Sequence, residues 1–482
     1  MTVDKKIIAD GLRNLGLKQG DIVLLHSSLL SLGHVEGGPA AVIDAFLEVV
    51  GQEGTLLVPV FGALGILTEE LKHRPGAIVS PCPVGTLAAL GKDAGELCRD
   101  HWKAETAHGE DTPFTRLAAK GGYICLMGVD QDRNTTLHSI EALLRLPYLR
   151  DTTATFTTPD GKTVTKTWKY YPGPHRNFIG LDPLLAAATK RGRIGNSEVR
   201  LISAPKMFEL ALEAGRRDPA FVLCDNPACA DCVAQRAAIR RDRFDHRESF
   251  QLAASARLAG RYVPEMIENL LKAGIHRVEL DFIQGKAWRL WTAEKLAAWI
   301  AEFAENGITV TGARCFGVPE DVAGLVELAR TAGIARLILP LNDSRMAGAA
   351  AVAAGLEVAW FNTNQSGIHA AAKFLRLRQT LGDHSAGMVF DPANFAAASE
   401  MPFLHSYRRG RFIKIIGQLD VNDCSWDGEP RKLARGNAEI KELISILRCH
   451  NFAGFMTLGG GAVYPGTLGD AVADFTRLLD EM

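Results

Sequence analysis

Tyr123-Ile124-Cys125-Leu126-Met127-Gly128-Val129, followed closely by Asn134-Thr135-Thr136-Leu137-His138-Ser139-Ile140-Glu141, decides the fold of the first half of the chain. A short apolar run ending in glycine predicts a buried strand, and the segment from Thr136 to Leu144 predicts a helix. On that helix His138 and Glu141 are three residues apart and share a face, so the carboxylate can hold the imidazole. A histidine made more basic in this way is a general base near neutral pH. The alternative is a buried histidine paired with a helix-surface glutamate.

The composition is that of a globular protein with more than one domain. The chain has 482 residues, of which 47% are hydrophobic and 23% charged, with a net charge of -1. This length predicts two or three domains, and the balanced charge excludes a nucleic-acid surface spread over the whole chain. The longest apolar runs are too short for a bilayer and the N-terminus has no hydrophobic signal core, so we expect a cytoplasmic protein without a membrane partner. Nine cysteines then favour reduced thiols or metal ligands over disulfides.

The strongest break in the chain is the segment 234–249, which contains five arginines within QRAAIRRDRFDHRES. A charged helix joining two domains fits it, and we interpret the segment as a solvated linker, with a docking site for an anion as the alternative. It separates a domain over residues 1–233 from a second domain over residues 250–482, and both are of ordinary size. The oligomeric state stays open, and a homo-oligomer is compatible with the sequence.

The first half begins as an α/β unit. A helix over Asp4–Leu15, a strand over Ile22–Leu25, a helix from Pro39 to about Val50 and a strand over Gly54–Phe61 are predicted in this order. The glycines just before Pro39 leave backbone N–H groups open at the positive end of the second helix. Such a terminus is suited to an anion, although many turns share the pattern.

The second half alternates short apolar strands with amphipathic helices, which predicts a parallel sheet. Seven or eight such units fit a (β/α) barrel, and an open doubly wound sheet has the same local signature. The candidate strands are His276–Phe282, Thr309–Cys315, Ala335–Leu341, Glu357–Asn362, Ala386–Phe390, Phe412–Gln418 and Gly454–Leu458, and the clearest helices are Thr292–Glu305, Pro319–Ala332 and Gly367–Leu381.

Six segments of the first half occur in an order that resembles a known family. They are LLHSSLLSLGHVEGG, GTLLVPVFG, PGAIVSPCPVGTLAALGKDA, DH with GEDTPF, GGYICLMGVDQDRNTTLHSIE and RGRIGNSEVRLI. Together they resemble the aminoglycoside 3-N-acetyltransferase family over about residues 5 to 222. The resemblance implies an α/β acetyltransferase domain that uses acetyl-CoA and acts on the amine of an aminoglycoside or amino sugar.

The resemblance also assigns catalytic roles. His138 would be the general base and Glu141 its orienting partner, with the amine attacking the thioester directly. Thr136, Thr135 or a nearby backbone N–H would stabilise the negative charge on the thioester oxygen. Capping of the helix is the alternative role of these hydroxyls.

Coenzyme and substrate contacts follow from the same motifs. The residues implied for coenzyme A are Ser27, Ser28, Gly33, Val35, Gly37, Gly38, Ser80, Pro83, Gly85, Thr86 and Leu87. Cys82 stands where the family often has histidine, which leaves that side chain without an assigned role. His175 and Arg176 fall in a stretch where the family's substrate loops vary, so we predict that they contact substrate, with a solvent-facing turn as the alternative. His26, His101 and His108 are predicted to be structural.

Cys224, Cys229 and Cys232 form a C-x4-C-x2-C pattern that can supply three thiolates to zinc. A fourth ligand is not evident nearby; His246 or a distant cysteine are candidates. Free thiols and an iron–sulfur cluster are the alternatives.

The second half resembles the sugar-phosphate isomerase/epimerase barrels of the xylose isomerase-like group over about residues 250 to 480. AGIHRVELDF, the run Phe390–Phe395 and FIKIIGQLDVND carry the likeness. Those barrels hold a divalent metal at the carboxyl ends of their strands. Here Asp391 is present, but Asn394 and Asn362 stand where ligands are expected, so the metal site is predicted to be lost. Glu279, Asp281, Asp420 and Asp423 are the remaining carboxylates.

Two further features of the barrel have more than one interpretation. Gly459-Gly460-Gly461 after the last strand predicts either a phosphate cradle or a tight turn. Lys414, on the strand Phe412–Gln418, predicts an anion contact, a Schiff-base amine or a strand-end salt bridge.

The sequence thus predicts an acetyl-CoA-dependent N-acetyltransferase fused to a degenerate barrel. Antibiotic resistance and metabolite biosynthesis are both compatible with it. One alternative is a catalytic isomerase or epimerase barrel with a scaffolding N-terminal domain. Another is a binding protein made of two inactive enzyme folds.

Overall fold

A computed structural model describes residues 2–61, 65–170, 175–342, 345–363, 366–381 and 385–482. They form two compact units, Met1–Gln235 and Arg236–Met482. Each unit has its own sheet and its own apolar core. No helix in these described ranges combines the length and the apolar character needed to cross a membrane.

The first unit is built on a seven-stranded mixed sheet in the order β3-β4-β2-β1-β5-β9-β8. The elements are α1 (Lys5–Leu15), β1 (Ile22–Ser27), α2 (Gly38–Val50), β2 (Thr55–Pro59), α3 (Ile66–Lys72), β3 (Ile78–Val79), β4 (Leu87–Gly91), α4 (Ala94–Cys98), α5 (Pro113–Ala119), β5 (Tyr123–Met127), α6 (Leu137–Leu143), β6 (Arg150–Thr157), β7 (Thr163–Tyr170), β8 (Thr189–Ile194), β9 (Ser197–Ser203), α7 (Ala204–Arg217) and α8 (Ala230–Asp242). Strands β6 and β7 form a separate hairpin.

The predicted elements around the candidate site are confirmed. The side chain of Asp4 caps α1 by accepting from the N–H of Ile7, and β5 is buried along nearly its whole length. Strands β1 and β5 run parallel, with Ser27 opposite Met127. The first coenzyme motif therefore begins beside the chain that leads to α6.

Gly128, directly after β5, has a positive φ of 68°. A β-carbon there would lie 1.7 Å from the hydroxyl of Ser31. Only glycine allows this close approach, which packs the turn after β1 against the turn before α6.

The second unit is a closed barrel of eight parallel strands in the order β10-β11-β14-β15-β16-β17-β18-β19. Its elements are β10 (Gln251–Ser255), α9 (Ala256–Ala259), α10 (Val263–Ala273), β11 (Arg277–Leu280), β12 (Phe282–Ile283), β13 (Lys286–Ala287), α11 (Ala293–Glu305), β14 (Thr309–Arg314), α12 (Val322–Thr331), β15 (Arg336–Pro340), α13 (Arg345–Ala353), β16 (Glu357–Phe361), α14 (Gly367–Leu381), β17 (Ser385–Phe390), α15 (Pro392–Ala397), β18 (Ile416–Val421), α16 (Ile440–Cys449), β19 (Phe455–Leu458) and α17 (Leu468–Asp480).

The barrel closes because β10 pairs with β19 from Gln251↔Phe455 to Ala254↔Leu458. The (β/α) barrel is therefore confirmed, although the sequence analysis missed β10. The strand predicted at Phe412–Gln418 begins only at Ile416, and Phe412–Lys414 is a turn of 3-10 helix. Lys414 is therefore not on a strand, and the prediction that placed it there is wrong.

The arginine-rich segment is helical, as the charged-helix interpretation predicts, but it is not a fully solvated linker. Helix α8 runs to Asp242, and Arg243–Arg247 continues as a π-helical turn. Phe244 is buried in the barrel's apolar core, and Asp245 accepts from the guanidinium of Arg277 at 2.9 Å. The arginine-rich composition does not indicate the burial of Phe244, because the few apolar contacts of the segment depend on its partners in the fold.

Candidate active site

The general-base pair predicted from the sequence is formed. Both residues are on α6, and Nδ1 of His138 lies 2.7 Å from Oε2 of Glu141. A carboxylate only accepts, so Nδ1 carries the proton and Nε2 is the basic nitrogen of the neutral ring. The His138 side chain is 15% exposed, whereas Glu141 is fully buried.

Two further side chains hold the other oxygen of Glu141. Its Oε1 accepts from the hydroxyl of Tyr148 at 2.8 Å and from Nε of Arg176 at 2.5 Å. The guanidinium of Arg176 also lies 4.7 Å from the centre of the Tyr148 ring. Burial by itself would raise the pKa of Glu141, but the hydrogen bond and charge of His138 and the charge of Arg176 outweigh it and lower the pKa. Glu141 is therefore an ionised carboxylate fixed on both oxygens.

Tyr148 and Arg176 thus form a clamp on Oε1 of Glu141. This contact changes the role predicted for Arg176. The sequence analysis predicted a substrate contact, but the buried side chain points to Glu141. Arg176 is 35 residues from Glu141 along the chain, so no local spacing signals the contact. Residues 171–174 of the predicted substrate segment, which runs from Tyr170 to Asn177, lie outside the described residues.

Aromatic rings enclose His138. The Phe178 ring lies edge-on with its centre 5.1 Å away, and the His108 ring lies at 5.5 Å. His108 itself packs between Phe114 and Tyr170. Burial, and then the neighbouring His138 and His101, lower the pKa of His108 well below its ordinary value. His108 is therefore a neutral wall of the site, consistent with its predicted structural role.

The hydroxyl of Thr136 does not cap α6. Thr136 has helical backbone angles, and the side chain of Asn134 accepts from its N–H at 3.3 Å. The buried hydroxyls of Thr135 and Thr136 have no hydrogen-bond partner among the described residues. The capping alternative is therefore wrong for Thr136, and both hydroxyls can donate to a bound group.

The first coenzyme motif lies in the turns that follow β1. Ser27 ends the strand, Ser28 precedes the 3-10 turn Leu29–Leu32, and Gly33 ends that turn. Val35 is buried and bridges to Val3 in the core. Gly37 and Gly38 have positive φ at the start of α2, and Gly37 makes no side-chain cap. The N–H of Gly38 is not open as predicted, because it donates to the carbonyl of Val35 at 3.1 Å.

The second coenzyme motif is committed largely to internal contacts. Ser80 accepts from the N–H of Leu87 and contacts Nδ1 of His101, each at 3.0 Å. Leu87 itself is fully buried. The hydroxyl of Thr86 donates to the carbonyl of Cys82. The backbone is also engaged: the N–H of Ser80 donates to the carbonyl of Leu87, and the N–H of Val60 donates to the carbonyl of Thr86.

Gly85 brings this motif to the candidate base. It has a positive φ of 74°, and a β-carbon there would lie 3.4 Å from the ring of His108. Pro83 lies in the same turn, beside Cys82. The Cys82 thiol donates to the carbonyl of Val84 at 2.8 Å, and burial raises its pKa to about 11. Cys82 is therefore a neutral packing residue.

A cavity of about 440 Å³ opens beside the far end of α6. Ala142, one helical turn from His138, is in its wall, so the cavity adjoins the face that carries the candidate base. Its lining also includes Glu105, Glu110, Arg145 and Lys169. Asp151 pairs with the Lys169 ammonium at 2.6 Å.

A second cluster of reactive side chains includes His175, which directly precedes Arg176 in the chain. The ligand atoms of His175, Cys224, Cys229 and Cys232 all lie within 4.8 Å of one another. The sequence analysis predicted the three cysteines but assigned His175 to substrate. The other suggested ligand, His246, lies in the second unit. No local spacing marks His175 as a metal ligand, because it is 57 residues from Cys232 along the chain.

The barrel carries a buried arginine among its remaining carboxylates. Arg314, at the end of β14, donates to Glu279 at 2.6 Å and to Asp420 at 2.7 Å, and all three are fully buried. Gln418 also donates to both carboxylates. The guanidinium supplies a positive charge that balances these buried carboxylates.

The other barrel residues also have internal partners. Asp423 accepts from three backbone N–H groups, and Asn362 bonds to the backbone of Asp391. A β-carbon on Gly461 would lie 2.1 Å from Oδ2 of Asp391. The triple-glycine turn thus packs against carboxylates, which repel a phosphate. The structure favours the tight turn over the phosphate cradle.

Comparisons with known proteins agree on the first unit. The family model for aminoglycoside 3-N-acetyltransferases matches residues 24–64 and 62–214. Aminoglycoside N(3)-acetyltransferase IX of Micromonospora chalcea is 31% identical over 263 residues, covering 44% of this chain and 92% of that protein. Aminoglycoside N(3)-acetyltransferase VII of Streptomyces paromomycinus is 35% identical over 181 residues, covering 30% of this chain and 62% of that protein. The crystal structure of the aminoglycoside acetyltransferase AAC(3)-IVa apoenzyme is 27% identical, with a TM-score of 0.45, and covers 50% of this chain and 98% of that chain.

Proposed function

The chain belongs to the aminoglycoside 3-N-acetyltransferase family, and we propose that it transfers the acetyl group of acetyl-CoA to an aminoglycoside amine. It is an N-acetyltransferase, and the observation that carries the finer assignment is the 2.7 Å contact between His138 and Glu141. This contact orients the ring and leaves Nε2 as the base. Histidine held by a fixed carboxylate is suited to proton transfer near neutral pH.

The proposed reaction is a direct transfer. The amine nitrogen attacks the thioester carbon as Nε2 of His138 removes a proton from that nitrogen. The new N–C bond replaces the C–S bond, and the departing thiolate takes up the proton that His138 removed, so acetyl-CoA and amine yield amide and CoA. Glu141 stays ionised and stabilises the imidazolium that forms. The Thr136 and Thr135 hydroxyls donate toward the negative charge on the thioester oxygen.

The cavity at the far end of α6 is the proposed substrate site. An aminoglycoside is a polycation, and Glu105 and Glu110 are exposed carboxylates on the cavity wall. Opposite charge steers and orients such a ligand. Acetylation replaces one ammonium by a neutral amide, which is the chemistry of aminoglycoside resistance. An amino sugar with fewer amines is the second substrate candidate.

Coenzyme A is proposed to lie along the two motifs. The N-terminus of α2 after Gly37, which has no side-chain cap, suits a phosphate group. The turn around Pro83 and Gly85 lies against His108, beside the candidate base. Since Ser80 and Thr86 use their hydroxyls internally, we assign their motif's contacts with pantetheine to the backbone of this turn.

The alternatives are less well supported. A catalytic isomerase barrel would need Glu279 and Asp420 for its metal, and both bind Arg314. A protein made of two inactive folds does not account for the intact pair on α6 and its enclosed site.

The first test is release of free thiol from acetyl-CoA by the full chain with a panel of aminoglycosides and simple amino sugars. We expect turnover with aminoglycosides that carry a 3-amino group and only background release without an acceptor. An aminoglycoside that lacks this amine is the matched control. No turnover across the panel, although the chain binds CoA, would contradict an aminoglycoside substrate.

Thr136→Val tests the role assigned to the hydroxyl. Valine has the same shape, so the fold should hold, while kcat should fall by roughly 10- to 100-fold with KM nearly unchanged, because the donor acts on charge that develops in the transition state. Steady-state kinetics measure this. Ser139→Ala removes another buried hydroxyl from α6 and should leave kcat within about twofold. Equal effects of both substitutions would contradict the assignment.

A further inference from the structure

Four side chains from three places in the chain converge behind the candidate base. Nδ1 of His175 lies 3.4 Å from Sγ of Cys232 and 3.4 Å from Sγ of Cys229. Cys224 completes a set whose ligand atoms lie within 4.8 Å of one another. The three cysteines are thiols, with no disulfide bond between them.

This arrangement has the composition and size of a zinc site. Zn²⁺ prefers thiolate and imidazole donors in a tetrahedron, and bonds of about 2.3 Å to sulfur and about 2.0 Å to nitrogen space the donors roughly 3.5 to 3.8 Å apart. The two distances from His175 are close to that spacing. Donors this close leave no room for a cluster of several iron atoms. With four protein ligands the site is closed, which is typical of structural zinc.

Helix α8 holds the ligands in place. Cys229 directly precedes it, and Cys232 is in its first turn. From the same helix, Asp231 accepts from the N–H of His175 at 2.8 Å and Gln235 donates to its carbonyl at 3.2 Å. Such outer contacts are what fix a metal ligand's orientation.

The metal ligand and the clamp on the candidate base are adjacent in sequence. Arg176 follows His175 and donates to Glu141, which holds His138. Asn177 then donates its N–H to the carbonyl of Val222 at 2.8 Å. The chain that presents Arg176 is thus tied down on both sides by the segment that contains the cysteines.

We propose that His175, Cys224, Cys229 and Cys232 bind one zinc ion, and that this ion positions Arg176 on Glu141. The zinc site does not depend on the proposed function, whereas the positioning of Arg176 rests on the proposed acetyltransferase function. Arg176 is a positioning residue, since it acts on the base through Glu141.

Metal content of the full chain, purified without chelators, tests the site directly. We expect about one zinc per chain by elemental analysis. Cys224→Ser and Cys232→Ser should lose most of it, whereas Cys449→Ser, at an exposed cysteine outside the cluster, should retain it. Less than about a fifth of an equivalent in the wild type, both as purified and after incubation with Zn²⁺, would overturn the site. This readout does not depend on turnover.

Cobalt substitution tests the ligand set in the wild-type chain, so its result does not depend on whether a variant folds. The wild-type chain produced with Co²⁺ should show the intense visible bands of tetrahedral cobalt and the near-ultraviolet bands of cobalt–thiolate bonds. Cobalt spectra without thiolate bands would overturn the proposed ligand set.

A coupling experiment tests the positioning role. Zinc removal by a chelator should lower kcat about tenfold in the wild type, and added Zn²⁺ should restore it. In Arg176→Met, which is already slower, the same removal should cost less than about twofold, because effects that act through one residue are not additive. Full additivity would overturn the positioning role. An intact zinc site in a chain without any turnover would instead count against the acetyltransferase assignment.

Discussion

His138→Ala is expected to lower kcat/KM for acetyl transfer by about a hundredfold or more. The amine must lose a proton as it attacks, and His138 is the ring that Glu141 orients for this task at 2.7 Å. The side chain is partly exposed, and alanine favours the helix, so α6 should persist. Thiol release at saturating and limiting substrate measures the effect, which should appear mainly in kcat.

His73→Ala is the matched control for this variant. His73 is an exposed histidine at the end of α3 in the same unit, and its loss should change turnover by less than about twofold. Added imidazole should restore part of the activity of His138→Ala because it can enter the space left by the ring. Turnover close to that of the wild type in His138→Ala would remove His138 as the base.

Arg314→Met is expected to lower the free energy of unfolding of the barrel by about 3–5 kcal/mol. Methionine keeps much of the volume but removes the charge that Glu279 and Asp420 share. Both carboxylates then stay buried without their cation, and that is the costly state of a broken buried ion pair. Chemical denaturation of the full chain measures the loss.

The pH dependence of this loss follows from Asp420. Burial raises the pKa of Asp420 to about 7; the Arg314 charge opposes the shift, and Asp391 and Glu279 add to it. Without Arg314 that pKa rises further, so the folded state keeps a proton that the unfolded chain, with a pKa near ~4, has released. Folding then gains stability as pH falls, and the deficit should be smaller at about pH 5.5 than at about pH 8.

Arg330→Met controls for the substitution itself. Arg330 pairs with Glu327 on the exposed surface of α12, so its replacement should leave the unfolding midpoint nearly unchanged. A second variant, Arg314→Met with Asp420→Asn, should recover part of the lost stability because one buried charge is gone. A single Arg314→Met change as mild as Arg330→Met would contradict the proposed role of the buried pair.

The contact between His138 and Glu141 follows from sequence spacing. His138 and Glu141 meet because residues three apart share a helix face, whatever the rest of the fold does. Tyr148 and Arg176 complete the clamp from outside α6, and Arg176 comes 35 residues later. The contact of Arg176 depends on where the chain returns after the hairpin β6–β7, whereas Tyr148 precedes that hairpin.

In the barrel, too, some features follow from the local sequence and others depend on the fold. The alternation of apolar strands and amphipathic helices is a local pattern, and it predicts the repeated units correctly. Strand β18 was misplaced because the apolar run Phe412–Ile416 fits a strand locally but folds first into a helical turn. Arg314 carried no signal, since an arginine at a strand end is ordinarily exposed.

By itself, the sequence determined the helices and strands next to the candidate site, most of the repeated units of the second half, the acetyltransferase family and the contact of His138 with Glu141 on α6. Each of these depends on neighbours within a few residues or on motifs in a fixed order. Only the tertiary structure decided the closure of the barrel, the buried Arg314, the clamp on Glu141 and the fourth ligand of the cysteine cluster. Those features join residues tens of positions apart, and such contacts are selected by packing and burial of the whole chain, which local spacing does not encode.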